Sequence, residues 1–252
     1  MMVRFLIRPV SKITQTNHKK EIKMEKSKTN TQKAAKFKVK VSKNGPYIVS
    51  GGVPLSEQIM CVDNEGQCHG WKEGQKYPPQ ETYALCRCGH SGNKPFCDGA
   101  HIRIKFDGTE GASYRSYLEQ AGEIIGPDLK LTDAQNLCAS ARFCHRGSGT
   151  WKLAKQSGNP DARQKAIEEV ADCPSGRLVV WDKEGKAIEP DFEPSIGLVE
   201  DVQAGKMGPI WVRGGIPVEA ADGTIYEIRN RVTLCRCGKS LNKPFCDGRH
   251  LK

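Results

Sequence analysis

The sequence has few apolar residues and no long hydrophobic run. Of its 252 residues, 37% are hydrophobic and 7% are aromatic. No stretch reaches the roughly 18 to 20 consecutive apolar residues that a membrane-spanning helix needs. The apolar run at residues 5–7 is too short and too close to arginines to be the core of a secretory leader. We therefore expect neither a membrane span nor export.

The sequence also lacks the short motifs of the common enzyme classes. It contains no P-loop, no GxGxxG dinucleotide fingerprint, no nucleophile elbow and no HExxH metalloprotease motif. These absences favour a carrier or binding protein over an enzyme, and we assign no catalytic residue.

Cysteine, glycine and proline are abundant instead, with 11, 26 and 14 residues respectively. An odd cysteine count without a secretory leader disfavours a disulfide framework and favours metal ligands in a reducing compartment. Because the chain is poor in apolar residues, we expect small, loop-rich modules that bound metal holds together. The expected location is the cytoplasm.

A basic arm precedes these modules. Residues 1–36 contain ten Lys or Arg and two Glu, so they carry +8 of the formal net charge of +10. Their polar composition predicts disorder, and a solvated tail is the simplest interpretation. Residues 1–23 also fit a mitochondrial presequence, which disappears if translation starts at Met24. Nucleic-acid binding is a third interpretation, and the lack of interleaved aromatic residues after Phe5 argues against it.

An internal repeat organises the rest of the chain. The segments 86–101 and 235–250 are identical at thirteen of sixteen positions, and the similarity extends upstream to residues 45 and 208. The first copy carries an insertion of 14 residues that holds Cys61 and Cys68, which we leave unassigned. Short β-favouring runs predict strands at residues 38–41, 47–49, 210–212, 225–228 and 231–234.

The repeated motif has the spacing Cys-x-Cys-x8-Cys-x3-His. Each copy offers three thiolates and one imidazole, which are Cys86, Cys88, Cys97 and His101 in the first copy and Cys235, Cys237, Cys246 and His250 in the second. A single zinc ion accepts such a set, although zinc sites usually separate their paired cysteines by two or more residues. A two-iron cluster is served by two ligand pairs. Spacing alone leaves both interpretations open and favours the cluster.

Both segments resemble the CDGSH iron–sulfur domain of the NEET family, whose motif binds a [2Fe–2S] cluster. The first copy matches at every motif position, including Ser91, Pro95 and Asp98, and the second departs only at Arg249, where a small residue is usual. The resemblance implies two [2Fe–2S] clusters. It also implies redox activity and the ability to pass clusters to acceptor proteins. An imidazole ligand raises the reduction potential and binds iron only when neutral, so it links the site to pH. We expect Asp98 and Asp247 to be helix N-caps.

The middle of the chain resembles a divergent mono-cluster ferredoxin domain. Ferredoxin-type clusters use a Cys-x2-Cys-x2-Cys run and a distant Cys-Pro. Cys138, Cys144 and Cys173 occupy the first, third and last cysteine positions of this pattern, and Ala141 occupies the second. Three cysteines suit a [3Fe–4S] cluster, or a [4Fe–4S] cluster whose fourth iron has another ligand, for which His145 is a candidate. Three free cysteines remain the alternative. A helix is predicted to begin after Asn159 and to end before Pro174, with Ala162, Ala166, Ile167 and Val170 on one face.

The expected architecture is α+β, with two small β-rich CDGSH modules flanking a small ferredoxin-like module. The predicted boundaries are 1–36 for the arm, 37–106 and 201–252 for the CDGSH modules, and 107–200 for the central module. Because NEET homodimers bring two motifs together, we expect the two copies here to pair within one monomeric, pseudo-symmetric chain. The predicted function is electron or cluster transfer with an unidentified redox partner or cluster acceptor. The alternatives are a zinc-stabilised interaction protein with a nucleic-acid-binding arm, and a redox enzyme with an open iron site.

Overall fold

The computed structural model describes residues 36–252, so the predictions for the basic arm lie outside the described residues, apart from Lys36. Three sheets and a few short helices make up this part of the chain, as expected for an α+β fold. No helix within these residues is long and apolar enough to cross a membrane. All 11 cysteines are described and all are free thiols.

The first sheet has the strand order β12–β1–β2–β5. Its strands are β1 (Lys38–Val41), β2 (Tyr47–Ser50), β5 (Thr82–Leu85) and β12 (Val218–Glu219). The second sheet has the order β13–β11–β10–β3–β4. Its strands are β3 (Leu55–Val62), β4 (Cys68–Lys76), β10 (Ser195–Asp201), β11 (Lys206–Arg213) and β13 (Arg231–Leu234). Four of the five predicted strands are therefore confirmed.

The predicted strand at residues 225–228 is wrong. Only Ile225 forms a β-bridge there, with Glu219. Ile225 and Ile228 are both exposed, while Tyr226 between them is buried and its amide donates to the carbonyl of Val218. The β-favouring side chains point to solvent, so no sheet face holds this segment in extended pairing.

The two repeats exchange strands. In the first sheet β12 of the second repeat runs parallel to β1, with Val39 opposite Val218. In the second sheet β3 of the first repeat runs parallel to β10, with Ile196 opposite Leu55. The amide of Val39 donates to Pro217, and that of Ile196 donates to Pro54, so the two exchanges are equivalent. One hydrophobic core joins both sheets.

This exchange makes β10 the counterpart of β1. Val39 pairs with Val49 in β2, and Ile196 pairs with Val212 at the matching place in β11. The predicted boundary between residues 200 and 201 falls inside β10. The four-part division of the chain otherwise stays a prediction.

The central segment forms the third sheet, in the order β6–β7–β8–β9. Its strands are β6 (Gly122–Ile125), β7 (Lys130–Asp133), β8 (Leu178–Trp181) and β9 (Ala187–Ile188). The helices are α1 (Ala100–Arg103), α2 (Tyr117–Gln120), α3 (Thr150–Lys155) and α4 (Pro160–Ala171), with single 3-10 turns at Gln135–Leu137, Phe143–His145 and Arg249–Leu251.

Helix α4 confirms the prediction made for this segment. Asn159 is its N-cap and accepts from the amides of Asp161 and Ala162, while Pro160 is the first helical residue. Its apolar face packs on the third sheet together with α3; Ala166 and Val170 are buried in that core, and Ala162 and Ile167 pack against it. The helix thus presents Cys173, two residues after its end, to the loops of the central segment.

Candidate metal centres

Each CDGSH loop begins where a strand ends. Cys86 directly follows β5, and its sulfur lies 3.8 Å from that of Cys88. Cys97 Sγ lies 3.3 Å from Nδ1 of His101, which is four residues later and lies in α1. The structure therefore brings the four predicted ligands of the first site together as two pairs.

The second loop repeats this arrangement after β13. The sulfurs of Cys235 and Cys237 are 3.7 Å apart, and Cys246 Sγ lies 3.5 Å from Nδ1 of His250. The X-Pro peptide bond in each loop is cis, at Pro95 and at Pro244.

These distances fit tetrahedral metal ligation. Two sulfurs held about 2.3 Å from one tetrahedral metal atom lie about 3.8 Å apart, and a sulfur and a nitrogen around such an atom lie about 3.5 Å apart. Each pair in both motifs therefore has the spacing that one metal atom needs. Among residues 36–252, no three His, Cys, Asp or Glu side chains surround a single metal-ion position.

The loop residues that recur in both copies hold the loop to itself. Ser91 Oγ donates to the carbonyl of Phe96 at 2.6 Å and accepts from the amide of Asn93 at 3.0 Å. Ser240 makes the same two hydrogen bonds in the second loop. A buried serine at the same motif position thus satisfies one backbone carbonyl and one backbone amide inside each loop.

Asp98 and Asp247 lie one residue before the helix N-cap and not, as predicted, at the N-cap itself. Asp98 accepts from the amides of Gly92 and Ala100, but the N-cap residue of α1 is Gly99. Gly99 has a φ of 83°, in the left-handed region that favours glycine, so the aspartate closes a turn across it. Asp247 accepts from two amides in the equivalent way. The predicted N-cap position is therefore wrong, but each carboxylate accepts hydrogen bonds from backbone amides, as an N-cap side chain would.

The two CDGSH loops face each other within the chain. A Cβ atom on Gly89 would lie 2.7 Å from the carbonyl oxygen of Cys237, and one on Gly238 would lie 2.6 Å from that of Cys88. Tyr47 of the first repeat donates to the carbonyl of Cys235, at 2.8 Å. The expected pseudo-symmetric pairing of the motifs is thus present in the fold, and only glycine permits the approach.

Each Cys-x-Cys segment encloses a buried arginine that the sequence analysis did not single out. Arg87 is 1% exposed, donates to the carbonyls of Gly108 and Ser42, and lies over the ring of Tyr47. Arg236 donates to three oxygen atoms, those of Gly208, Val199 and Glu200. The only signal in the sequence is that both copies have arginine at this position.

When no metal is bound, the surroundings of the second site favour protonated thiols at Cys237 and Cys246. Burial raises the pKa of Cys246 to about 12, although the amide of Gly248 acts to lower it. The hydrogen bond between Cys235 and Cys237 lowers the pKa of Cys235 and raises that of Cys237. A bound cation would take the place of the protons and hold both sulfurs as thiolates.

The three central cysteines line one cavity. Cys138 follows one 3-10 turn, Cys144 lies in the next, and Cys173 follows α4. Twelve residues line the cavity: Cys138, Ala139, Ser140, Ala141, Arg142, Phe143, Cys144, Cys173, Pro174, Ser175, Arg177 and Leu178. Burial raises the pKa of Cys144 to about 12, and Cys173 adds to that rise. The three cysteines predicted to bind the central cluster, and Ala141 at the position of the missing fourth, therefore line the same cavity.

Arg177 lines this cavity, whereas His145 does not. Arg177 is 9% exposed and binds Asp133 at 2.6 and 2.8 Å, which places a fixed positive charge beside the cysteines. His145 packs near Trp151 and lines a different cavity. The structure does not support His145 as a fourth ligand.

The insertion in the first repeat lies in the β3–β4 hairpin. Cys61 and Cys68 lie on its two strands and form no disulfide. Cys68 is buried in a small core with Met60, Phe143 and Trp211, so it joins the hairpin to the central segment.

Comparison with known families agrees with this geometry. Residues 44–102 and 207–251 match the profile of the iron-binding zinc finger of CDGSH type. Residues 124–183 match the profile of the divergent 4Fe–4S mono-cluster domain. Comparison with characterised proteins and with solved structures gave no match. The chain therefore carries two CDGSH iron-binding domains of the NEET type on either side of a divergent 4Fe–4S mono-cluster domain, and it is an iron–sulfur-binding protein.

Proposed function

We propose that the protein is an electron carrier with three iron–sulfur centres. Cys86, Cys88, Cys97 and His101 would hold one [2Fe–2S] cluster, and Cys235, Cys237, Cys246 and His250 would hold the other. Cys138, Cys144 and Cys173 would hold a [3Fe–4S] or [4Fe–4S] cluster. When bound, such clusters supply one-electron chemistry.

One observation carries this proposal: the loops that bear the three candidate ligand sets contact one another in sequence. Gly89 of the first loop meets the Cys237 backbone of the second. Gly248 of the second loop in turn meets the Cys138–Ser140 segment of the central site. Arg87, buried beside the first site, donates to two backbone carbonyls and supplies positive charge that offsets the negative charge of a thiolate-ligated cluster. Arg177 and Arg236 are paired with Asp133 and Glu200, respectively.

Iron, sulfide and EPR analysis of the anaerobically purified chain tests the proposal. We expect two reducible [2Fe–2S] centres and one additional cluster, with sulfide present in proportion to iron. A colourless protein with stoichiometric zinc would overturn the proposal in favour of a zinc-stabilised interaction protein. Delivery of intact clusters to an apo-ferredoxin, faster than electron exchange, would make cluster transfer the principal role.

A second candidate function, a redox enzyme with an open iron site, is favoured by the central cavity. Its lining offers three cysteines and, within the described residues, no histidine or carboxylate. A cluster held there would have an iron without a protein thiolate. An oxidised protein without a [3Fe–4S] EPR signal, and without a change in the signal of the reduced protein on adding cyanide, would count against this candidate.

We propose that the protein works as a monomer in a reducing compartment, with the cytoplasm as the first choice and the mitochondrial matrix as the alternative if residues 1–23 are a presequence. The pairing of the two CDGSH loops inside one chain supports the monomer, because the contact that NEET homodimers make between chains is already made. Sedimentation of the holoprotein at several concentrations tests the oligomeric state.

A further inference from the structure

The two CDGSH loops have the same ligands but different surroundings. Within residues 36–252, the outer turn of the first loop forms hydrogen bonds only inside its own repeat, whereas that of the second loop is covered by residues 111–112 and 136–140. This difference is independent of the ligand chemistry, because thirteen of the sixteen motif residues are identical.

The second loop is tied down at its outer turn. The amides of Gly111 and Ala112 both donate to the carbonyl of Lys243, at 2.9 and 3.0 Å. The side-chain amide of Asn242 donates to the carbonyl of Asn136 at 3.0 Å. Backbone at residues 111–112 and 136 therefore closes over this side of the second site.

A second contact covers the histidine turn of the same site. A Cβ atom on Gly248 would collide with Ser140 Oγ and lie 3.3 Å from the carbonyl oxygen of Cys138. Cys246, which begins this turn, is 2% exposed. A ligand of the central site is thus in contact with the turn that bears His250.

Within the described residues, the first loop lacks the counterparts of both contacts, at its outer turn and at its histidine turn. Of the described residues, nothing lies within 4 Å of a Cβ built on Gly99, the counterpart of Gly248. Within the part of the chain that the structure describes, the hydrogen bonds of residues 92–97 all go to atoms of the first repeat. Cys97 is partly exposed, and the residues after His101 include Ile102 at 73% and Ile104 at 43% exposure.

We propose that the protein exchanges electrons with its redox partners at the first CDGSH site. The second site would then be an enclosed relay in contact with the central site. This inference rests on the proposed function. Because the two loops meet at Gly89 and Gly238, the sites form the series first CDGSH, second CDGSH, central cysteines, and among the described residues the histidine turn of the first site is the uncovered one.

Chelation of the oxidised holoprotein by EDTA tests the difference. Samples are withdrawn over time and reduced with dithionite, and the [2Fe–2S] EPR signal is integrated at a temperature where signals of larger clusters are broadened. We expect two phases of equal amplitude whose rates differ several-fold. His101→Cys should slow only the fast phase, and His250→Cys should change only the slow one.

Two glycine variants form the matched pair for this experiment. Gly99 and Gly248 have φ values of 83° and 80°, so an alanine is equally strained at either position. Gly248→Ala also displaces Ser140, and should speed the slow phase several-fold, whereas Gly99→Ala should leave the slow phase unchanged. A single phase, a fast phase that belongs to His250, or equal effects of both variants on the slow phase would overturn the inference.

Hydrogen exchange separates a failure of this inference from a failure of the proposed function. The amides of residues 241–248 should exchange several-fold more slowly than those of residues 92–99 in the protein as purified. Absence of any [2Fe–2S] signal would refute the proposed function, whereas equal exchange in the two loops would refute the enclosure of the second site.

Discussion

Charged side chains around the sites act through hydrogen bonds that fix the loops. Arg142 has a positive φ of 65° beside Ala141, and its guanidinium binds the buried Asp201 of β10 at 2.8 and 2.9 Å. The pair joins the loop of the central cysteines to the sheet of the second CDGSH repeat. Nothing in the sequence marks either residue, because an arginine that binds a buried carboxylate looks like any other arginine until the fold brings the two together.

Asp201→Asn should destabilise the protein in a pH-dependent way. Burial acts to raise the pKa of Asp201, but the hydrogen bonds from Arg142 and from the amide of Ala204 outweigh it and hold the pKa below its usual value. The carboxylate therefore stabilises the fold above the unfolded pKa of about 3.9, and this stability is lost as the pH falls through the folded value.

We expect Asp201→Asn to cost about 2 to 3 kcal/mol at pH 7, because the amide can accept only one of the two hydrogen bonds from Arg142 and leaves the guanidinium without its carboxylate partner. The cost should shrink below about pH 4, where the wild-type carboxyl is itself being protonated. Urea unfolding between pH 3 and pH 7 measures both, with the exposed Asp191→Asn as control. An equal cost at both ends of this range would contradict the assignment.

The two cysteines of the hairpin should differ in reactivity. Burial raises the pKa of Cys68, more than the nearby Arg142 lowers it, and the side chain is 3% exposed, whereas Cys61 is partly exposed. Because the thiolate is the reactive form, iodoacetamide should label Cys61 at least several-fold faster than Cys68 in the folded protein. Mass spectrometry of Cys61→Ser and Cys68→Ser assigns the labelled sites. Comparable rates would show that the hairpin core around Cys68 is open.

Single elements were predictable where a local signal decides them. Helix α4 starts at the residue that its cap and proline indicate, because capping depends on neighbours in sequence. The segment at 225–228 has β-favouring residues and yet forms no strand, because no inward face is available for Ile225 and Ile228. The aspartates of the CDGSH loops close a turn around a left-handed glycine, a geometry that the cap signal alone does not distinguish from an N-cap.

Asn159→Ala should therefore weaken α4 by about 1 kcal/mol, since the side chain accepts two amide hydrogen bonds at the helix start. Asn159→Ser keeps an oxygen acceptor and should cost only a fraction of this. Thermal unfolding monitored by circular dichroism compares the two. If the alanine and serine variants unfold at the same temperature, the cap does not stabilise the protein.

The whole molecule is organised by the exchange of strands between its repeats. Each repeat contributes strands to both larger sheets, and the two CDGSH loops meet across the resulting pseudo-twofold axis. The repeat predicted that two such modules exist and that they pair. It did not predict the exchange, because hydrogen bonding between strands far apart in the chain leaves no local pattern.

Gly89→Ala should damage both CDGSH sites at once. The new Cβ would lie 2.7 Å from the carbonyl of Cys237, in the other loop, so overpacking should destabilise the holoprotein by about 1 to 3 kcal/mol. Gly223 also has a positive φ, but a Cβ there has no neighbour within 4 Å among the described residues, so Gly223→Ala controls for backbone strain.

Iron analysis and the [2Fe–2S] EPR signal measure the outcome. Gly89→Ala and Gly238→Ala should give the same pattern, with signal lost from both sites and more lost than in Gly223→Ala. Signal lost only from the site that carries the substitution would contradict the contact between the loops.

The amino-acid sequence by itself determined the ligands and their grouping. The spacing of the candidate ligands Cys86, Cys88, Cys97 and His101, repeated at residues 235–250, depends only on local chain geometry, and the structure places each group as two pairs with side-chain atoms 3.3 to 3.8 Å apart. The tertiary structure alone decided that two nearly identical loops have different exposure. That difference arises because the segments at 111–112 and 136–140 fold back over the second loop, and such contacts depend on the packing of the whole chain rather than on either motif.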